Sequence, residues 1–283
     1  YNWMMEMTEQ LLEKVSIDST GNTKVKVGDN TIDFKAPYER ITIYDAIKKF
    51  TGIDISKMDE SMLRNTAKDL NIEIDDTMGK GKLIDSIFGD KCEPNFIQPT
   101  FIMDYPKEMS PLTKVHRENN DLTERFELIV NGKEIANAYS ELNDPIDQKE
   151  RFEKQLELSK KGDQEAGEFI DYDFLRALEY GMPPTSGIGI GIDRLVMLMT
   201  DNLSIQEVIF FPQMRPEKKK ISMNESEKLV YENISNENQL IGVIKNKIEI
   251  SNKAWDKAIK SLRKLELIKV EKIENDIYIS KIN

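Results

Sequence analysis

The stretch ELIVNGKEIANAYSE, residues 127–141, sets three carboxylates, Glu127, Glu134 and Glu141, into largely apolar sequence. Asn131-Gly132 at its centre is a two-residue hairpin signal, so the runs 126–130 and 134–139 pair as adjacent strands and gather the acids on one sheet. Acids crowded on a sheet repel one another and are costly to keep ionised unless cations sit between them. Their hard oxygens suit a divalent ion. A second stretch, SGIGIGIDRLVML, alternates Gly187, Gly189 and Gly191 with isoleucines and then enters an apolar helical run with Asp193 and Arg194 near its start. A strand bare of side chains on one face, followed by a basic residue, offers a floor for a flat ligand.

The elements that must position these groups lie in a chain of 283 residues with 39% apolar content, enough for one large or two ordinary water-soluble domains. No stretch is long enough to cross a membrane. One cysteine, Cys92, and one histidine, His116, exclude an internal disulfide framework and a His/Cys metal cluster, and point to a reducing, cytoplasmic setting. The net charge of −11 is unevenly placed: residues 217–283 carry 14 Lys+Arg against 11 Asp+Glu, and the first 216 residues carry 26 against 40. The body is acidic and the tail mildly basic, which argues against a uniformly basic nucleic-acid binder.

The chain opens at Tyr1-Asn2-Trp3, already inside an amphipathic helical run and without the regions of a signal peptide, as a piece or processed form of a longer protein would. Residues 24–34 read as strand, turn at Gly28-Asp29-Asn30 and strand, and residues 42–50 as a helix capped by Thr42. Residues 53–89 read as a helical insertion, with Ser61 capping a helix to residue 70 and another helix over 80–88. The turn Gly79-Lys80-Gly81 lacks the spacing and the hydroxyl of a phosphate loop. Cys92 is expected to be an idle thiol, residues 96–104 a strand ended by Pro106, and residues 114–124 a mobile polar loop with a solvated His116. Helices are expected over 147–161 and 171–180, the second closed by Gly181.

Several of these residues carry a family resemblance. Gln98-Pro99-Thr100-Phe101, Tyr105-Pro106, Ser110-Pro111-Leu112, the hairpin ending Ser140-Glu141-Leu142-Asn143-Asp144, and Gly181-Met182-Pro183-Pro184 before GIGIGIDRL together resemble the catalytic domain of class II lysyl-tRNA synthetases, in order, from Tyr1 to about Pro216. Asn137-Ala138-Tyr139-Ser140-Glu141 stands where the aspartyl and asparaginyl members carry glycines and a serine, which favours lysine. The resemblance implies an α/β fold of the α+β type, an antiparallel sheet flanked by helices. It implies activation of L-lysine by ATP and transfer to tRNA(Lys), a chemistry of positioning and charge neutralisation. By the same resemblance Glu127 and Glu134 hold Mg2+ against the ATP phosphates, Arg194 meets adenine and phosphate, and Gly187, Gly189 and Gly191 admit the nucleotide and the amino acid close to the backbone. Asn137, Tyr139 and Glu141 are implied to bind the lysine head, stem and ε-ammonium. The complete protein is expected to be a homodimer. YNWMMEMTEQLL resembles the helix just after motif 2 of the family, so this chain alone, without motifs 1 and 2 or the amino-terminal anticodon-binding barrel, is expected to be inactive.

Beyond a catalytic part at 1–216 and a linker at 217–220, residues 221–283 add helices at 226–234, 239–247 and 252–265 and a hairpin around Glu274-Asn275, the order of a winged helix. Lys253, Lys257, Lys260 and Arg263, with Lys264 beside them, are candidate contacts to nucleic acid on the polar side of the third helix; a winged helix can equally serve protein contact or simple stabilisation. Two other readings stand beside the synthetase. One is a paralogous enzyme attaching a lysine-like group to protein; the other is a non-catalytic module whose basic wing binds nucleic acid.

Overall fold

The computed structural model describes the whole chain except residues 161, 163–166, 168, 213–222, 266, 274–275 and 282–283. The chain divides into two compact units, Tyr1–Pro212 and Gln213–Asn283. The expected linker at 217–220 lies outside the described residues.

The first unit begins with α1 (Asn2–Thr20), which buries Met4, Met5, Thr8, Leu12 and Ser16 at steps of three and four along one face. A hairpin, β1 (Lys24–Val27) and β2 (Asn30–Asp33), leads to β3 (Glu39–Thr42) and α2 (Ile43–Thr51), whose first turn is closed by the Thr42 hydroxyl accepting from the Asp45 N–H. Then come α3 (Glu60–Asp69), α4 (Lys80–Lys91) and β4 (Thr100–Met103). The cap of α3 is Asp59, which accepts from the Met62 N–H, rather than Ser61; either side chain can cap, and the helix starts where the carboxylate reaches it. The strand expected over 96–104 shortens to β4, and the carbonyls of Phe96 and Ile97 instead accept from the Gly132 and Asn131 N–H groups.

β5 (Arg125–Val130) and β6 (Lys133–Ser140) form the hairpin, followed by α5 (Pro145–Lys160), α6 (Tyr172–Glu179), β7 (Ser186–Ile190) and α7 (Ile192–Met199). The five long-range strands stand in the order β3-β4-β5-β6-β7, antiparallel except for β3 beside β4. One face of this sheet buries Phe101, Phe126, Leu128, Val130, Ala136 and Ala138 beneath α1, α7 and the first hairpin. On the other face Ile102 and Ile129 pack against α2, α3 and α4, and Cys92 sits in that core, its thiol pushed up to about 12 by burial. This second face is covered by helices only over β4 and the end of β5. The remainder is polar.

Residues 114–124 are not a free loop. Single bridges tie Pro106 to Leu122, Val115 to Thr123 and Thr113 to Glu141, because the buried Glu124 carboxylate draws in both the Arg117 guanidinium and the Ser140 hydroxyl. His116 is half-buried, edge-on to the Tyr1 ring at 6.3 Å, with Nε2 4.0 Å from the Asp104 carboxylate.

The second unit runs α8 (Glu225–Glu232), β8 (Gln239–Leu240), α9 (Ile241–Lys247), α10 (Asn252–Lys264), β9 (Ile268–Ile273) and β10 (Asp276–Lys281), with strand order β8-β10-β9. This is the winged-helix order. Gln239 and Leu240 pair with β10 instead of starting the second helix, and Leu265, just past the end of the third, is 39% exposed. Trp255, Ala258 and Leu262 are the α10 residues buried in this unit's own core.

The hairpin turn is the most constrained point in the first unit. Asn131 and Gly132 both have positive φ, 52° and 68°, as a type I′ turn requires. A Cβ on Gly132 would also lie 3.2 Å from Pro94 Cα. Gly132→Ala should therefore cost about 1–2 kcal/mol, whereas Asn131→Gly should change stability by no more than about 0.5 kcal/mol. Urea unfolding of both variants checks this; equal losses would mean that the turn geometry is not the constraint.

Candidate active site

The polar part of the second sheet face is built from alternate residues. Arg125 and Glu127 project from the same side of β5, and Tyr139 and Asn137 of β6 lie opposite them in register. Continued alternation along β6 would turn Glu134 into the opposite core. A bulge prevents this: Leu128 pairs with Ala136 but Ile129 pairs with Glu134, so Ile135 is an extra residue and Glu134 returns to the face of Glu127. Arg194 Nη1 donates to Glu134 O at 2.7 Å and Gly191 N–H to Ile135 O at 2.8 Å, which fixes the start of α7 over the bulge. Arg194 Nη1 also lies 3.9 Å from the Glu134 carboxylate.

Arg125 is the hub of the site and escapes the sequence reading. Nη2 meets Glu127 Oε1 at 2.5 Å, Nε donates to Asn137 Oδ1 at 3.2 Å, and Nη1 donates to Met109 O at 3.0 Å and Ser110 Oγ at 3.1 Å. Its guanidinium lies over the ring of Tyr105, 4.5 Å from the centroid, and the Tyr105 hydroxyl donates to Glu127 Oε2 at 2.7 Å. Burial raises the Glu127 carboxyl above its ordinary value, with Arg125 and Tyr105 opposing the rise and the charge of Glu134 adding to it. Burial likewise drives the Tyr105 phenol well above its ordinary value. Crowded acids called for a bound cation; for Glu127 the chain supplies a counter-ion itself. The signal was present, since Arg125 stands two residues before Glu127 on a strand, on the same face and of opposite charge. Glu93 is a second residue the sequence reading missed. Burial raises its carboxyl, the Glu134 N–H hydrogen-bonds to it, and the charge of Glu134 raises it further.

Asn137 uses both ends of its amide inside this network, because Nδ2 also donates to Glu127 Oε1 at 3.3 Å. One N–H and one lone pair remain for a ligand. Among the described residues, no group of three or more His, Cys, Asp and Glu converges to hold a metal alone. Two carboxylates on one face nevertheless fit magnesium, which takes one or two of them and completes its shell with phosphate oxygens and water.

β7 forms the other wall. Gly187 and Gly189 pair with Tyr139 and Asn137 and so face the site, while Ile188 and Ile190 pack into the core. The three glycines are not equivalent. The space above Gly187 is taken by the Glu141 carboxylate, which a Cβ there would strike. A Cβ on Gly189 would meet only Asn137 O at 3.9 Å, and one on Gly191 would touch Arg194 Cδ at 3.5 Å. Gly189 and Gly191 thus floor an open groove of about 360 Å³ lined also by Glu134, Asn137 and Arg194, whereas Gly187 makes room for Glu141.

Glu141 follows directly after β6, its N–H bonded to Thr185 O at 2.9 Å. Its carboxyl is half-buried and raised above its ordinary value by burial alone, and no cationic side chain pairs with it among the described residues. Tyr139 stands beside it, its phenol raised by burial and then by the Glu141 charge. Lys253, Lys257, Lys260 and Arg263 belong to the second unit, where all four are exposed on α10.

Comparison with known proteins bears on this site. The family model for class II tRNA synthetases (D, K and N) matches residues 1–215. A lysine–tRNA ligase of Christiangramia forsetii is 62% identical over 273 residues, 96% of this chain and 48% of that protein. One from Porphyromonas gingivalis is 70% identical over 218 residues, 77% of this chain and 38% of that protein. Another, from Azobacteroides pseudotrichonymphae, is 67% identical over 218 residues, 77% of this chain and 43% of that protein. The chain spans less than half the length of these relatives. With the match running from the first residue through Arg215 across the strands, the bulge and the glycine wall, the chain belongs to the class II tRNA synthetases of the D, K and N group.

Proposed function

We propose that the protein of which this chain forms part is a lysine–tRNA ligase, joining L-lysine to tRNA(Lys) at the expense of ATP. The observation that carries this reading is Glu141, a half-buried carboxylate that among the described residues has no counter-ion, at the end of the polar face. A site of that kind favours a ligand that brings an ammonium, and disfavours an uncharged side chain that would leave the acid unpaired. Lysine placed with its ε-ammonium at Glu141 and its stem along Tyr139 points its head toward Asn137 and the Glu127–Glu134 pair. There its carboxylate oxygen attacks the α-phosphorus of ATP. The bond from that phosphorus to the bridging oxygen breaks, and pyrophosphate leaves with the electron pair. In the second step a ribose hydroxyl of tRNA attacks the lysyl carbonyl carbon, loses its proton and displaces AMP.

The groove over Gly189 and Gly191 receives the nucleotide, with Arg194 set against it by its bond to the bulge carbonyl; a planar, permanently charged guanidinium suits both an adenine face and a phosphate. Arg125 keeps Glu127 and Asn137 in place, and Tyr105 fixes the second oxygen of Glu127. Magnesium held by Glu127 and Glu134 would neutralise phosphate charge. The complete protein is read as a cytoplasmic homodimer; among the described residues no helix is long and apolar enough to cross a membrane.

The test is calorimetric titration of the full-length protein with a non-hydrolysable lysyl-adenylate analogue beside its aspartyl counterpart. The lysyl compound alone should bind, and Glu141→Gln should weaken it by about a hundredfold or more, the scale of removing one partner from a buried charge pair. Equal binding of both compounds would overturn the lysine assignment. Gly187→Ala should act through the same contact, raising KM for lysine with KM for ATP little changed, because the added methyl strikes Glu141. A rise confined to KM for ATP would return Gly187 to the nucleotide.

Glu141 also predicts a stability profile. Its folded pKa is raised, so the folded chain holds the proton more tightly than the unfolded chain. The resulting destabilisation is absent below the ordinary carboxyl range near about 4 and grows as pH rises through the folded value. Glu141→Gln should therefore raise Tm at neutral pH, and the gain should vanish as pH approaches about 4. A gain independent of pH would exclude burial of the charge as its cause.

A further inference from the structure

The second unit carries an exposed feature that the proposed chemistry does not use. Lys253, Lys257, Lys260 and Lys264 follow one another along α10 at steps of four, three and four residues. The helical period keeps them on one narrow stripe, roughly 16 Å long at 1.5 Å per residue. The stripe lies opposite Trp255, Ala258 and Leu262, the residues that anchor α10 in its core. All four lysines are exposed, and among the described residues none forms an ion pair. Arg263, grouped with them in the sequence reading, instead shares the flank of Asp256 and Ile259, at steps of seven and four. That flank opens on a groove between α9 and α10 lined by Ile241, Trp255, Ile259, Lys260, Arg263 and Lys264.

Four like charges on adjacent helical turns repel one another at a cost of a few tenths of a kcal/mol per pair, and among the described residues no ion pair offsets it. A polyanion of regular charge spacing does. We propose that the lysine stripe of α10 is a binding surface for the phosphate backbone of structured RNA, independent of nucleotide sequence. Three observations select this ligand. The stripe is lysine throughout, and lysine engages phosphate as a point charge rather than by a fixed fork. It contains no Asn, Gln or Arg of the kind that reads base edges. The first unit belongs to a family acting on tRNA, so the polyanion at hand is RNA. Electropositive residues 217–283 in a chain of net charge −11 fit the same role: a local grip on RNA in a body that otherwise repels it.

The experiment compares the full-length protein with its Lys253→Ala/Lys257→Ala/Lys260→Ala/Lys264→Ala variant. An RNA stem-loop of arbitrary sequence is the probe, and Kd is followed from 50 to 200 mM salt. Four phosphate contacts should make the slope of log Kd against log salt shallower in the variant by about three. Replacing the same four lysines by arginine should restore it, and Asp256→Asn should tighten binding. Scrambling the stem sequence should change nothing. An unchanged salt slope in the alanine variant overturns the proposal, as does a loss of the same size for polyglutamate, which would mark the stripe as a surface for acidic protein. Because lysine-dependent pyrophosphate exchange involves no RNA, the alanine variant should keep it; loss of that exchange in Glu141→Gln bears on the proposed activity alone.

Discussion

One extra residue in β6 decides what the site can be. Were Ile135 paired as a regular member of the ladder, the period-two alternation of a strand would place Glu134 and Asn137 on opposite faces, and a carboxylate would enter the apolar core beside Leu128 and Val130. The bulge turns Glu134 out, and Arg194 and the Gly191 N–H attach to the carbonyls of Glu134 and Ile135 beside it. The acid pair, the orientation of the arginine and the approach of β7 all follow from one irregularity in hydrogen bonding. This explains why the groove lies over the hairpin's turn-proximal half and not across the whole sheet.

The two ends of the polar face are treated oppositely by the chain. At Glu127 every lone pair that points inward finds a donor: Arg125, Tyr105 and Asn137 surround the carboxylate, and Arg125 is itself held by Met109, Ser110 and the Tyr105 ring. Such a network fixes geometry, since moving any member strands another in a place that water reaches poorly. At Glu141 the reverse holds, and burial raises the carboxyl with no cation to oppose it. A fold selected only for stability would have placed a glutamine there. An acid kept unpaired while its neighbour is fully paired is what a charged ligand requires, because the binding energy comes from the partner the protein withholds.

Much of this was legible from residue types. The hairpin could be read from Asn131-Gly132, since both turn positions need positive φ and those two residues adopt it most readily. The glycine wall could be read from alternation alone, and the family from the order of short signatures. What could not be read was any feature set by register. Ile135 looks like an ordinary strand residue, and only the pairing of both strands shows it to be extra. Crowded acids suggest an external cation, whereas the counter-ion of Glu127 is Arg125, two residues away on the same strand face. Residues 114–124 read as free loop because their anchor, Glu124, is a charged residue that is buried here only through Arg117 and Ser140, two partners that no local pattern joins to it. Composition misleads at such points because burial of a charge is decided by distant residues.

The same contrast distinguishes the two units. In the first, charge is placed where a fold brings distant strands together, and its meaning depends on pairing. In the second, the lysines of α10 are spaced by the helix itself, so their common face follows from sequence once the helix is granted and the core residues Trp255, Ala258 and Leu262 fix which side is hidden. Register on a sheet is a tertiary property, whereas a stripe on a helix is a local one. That is why the polar side of α10 is legible in the sequence, whereas the space above Gly187, taken by the carboxylate of Glu141, is not.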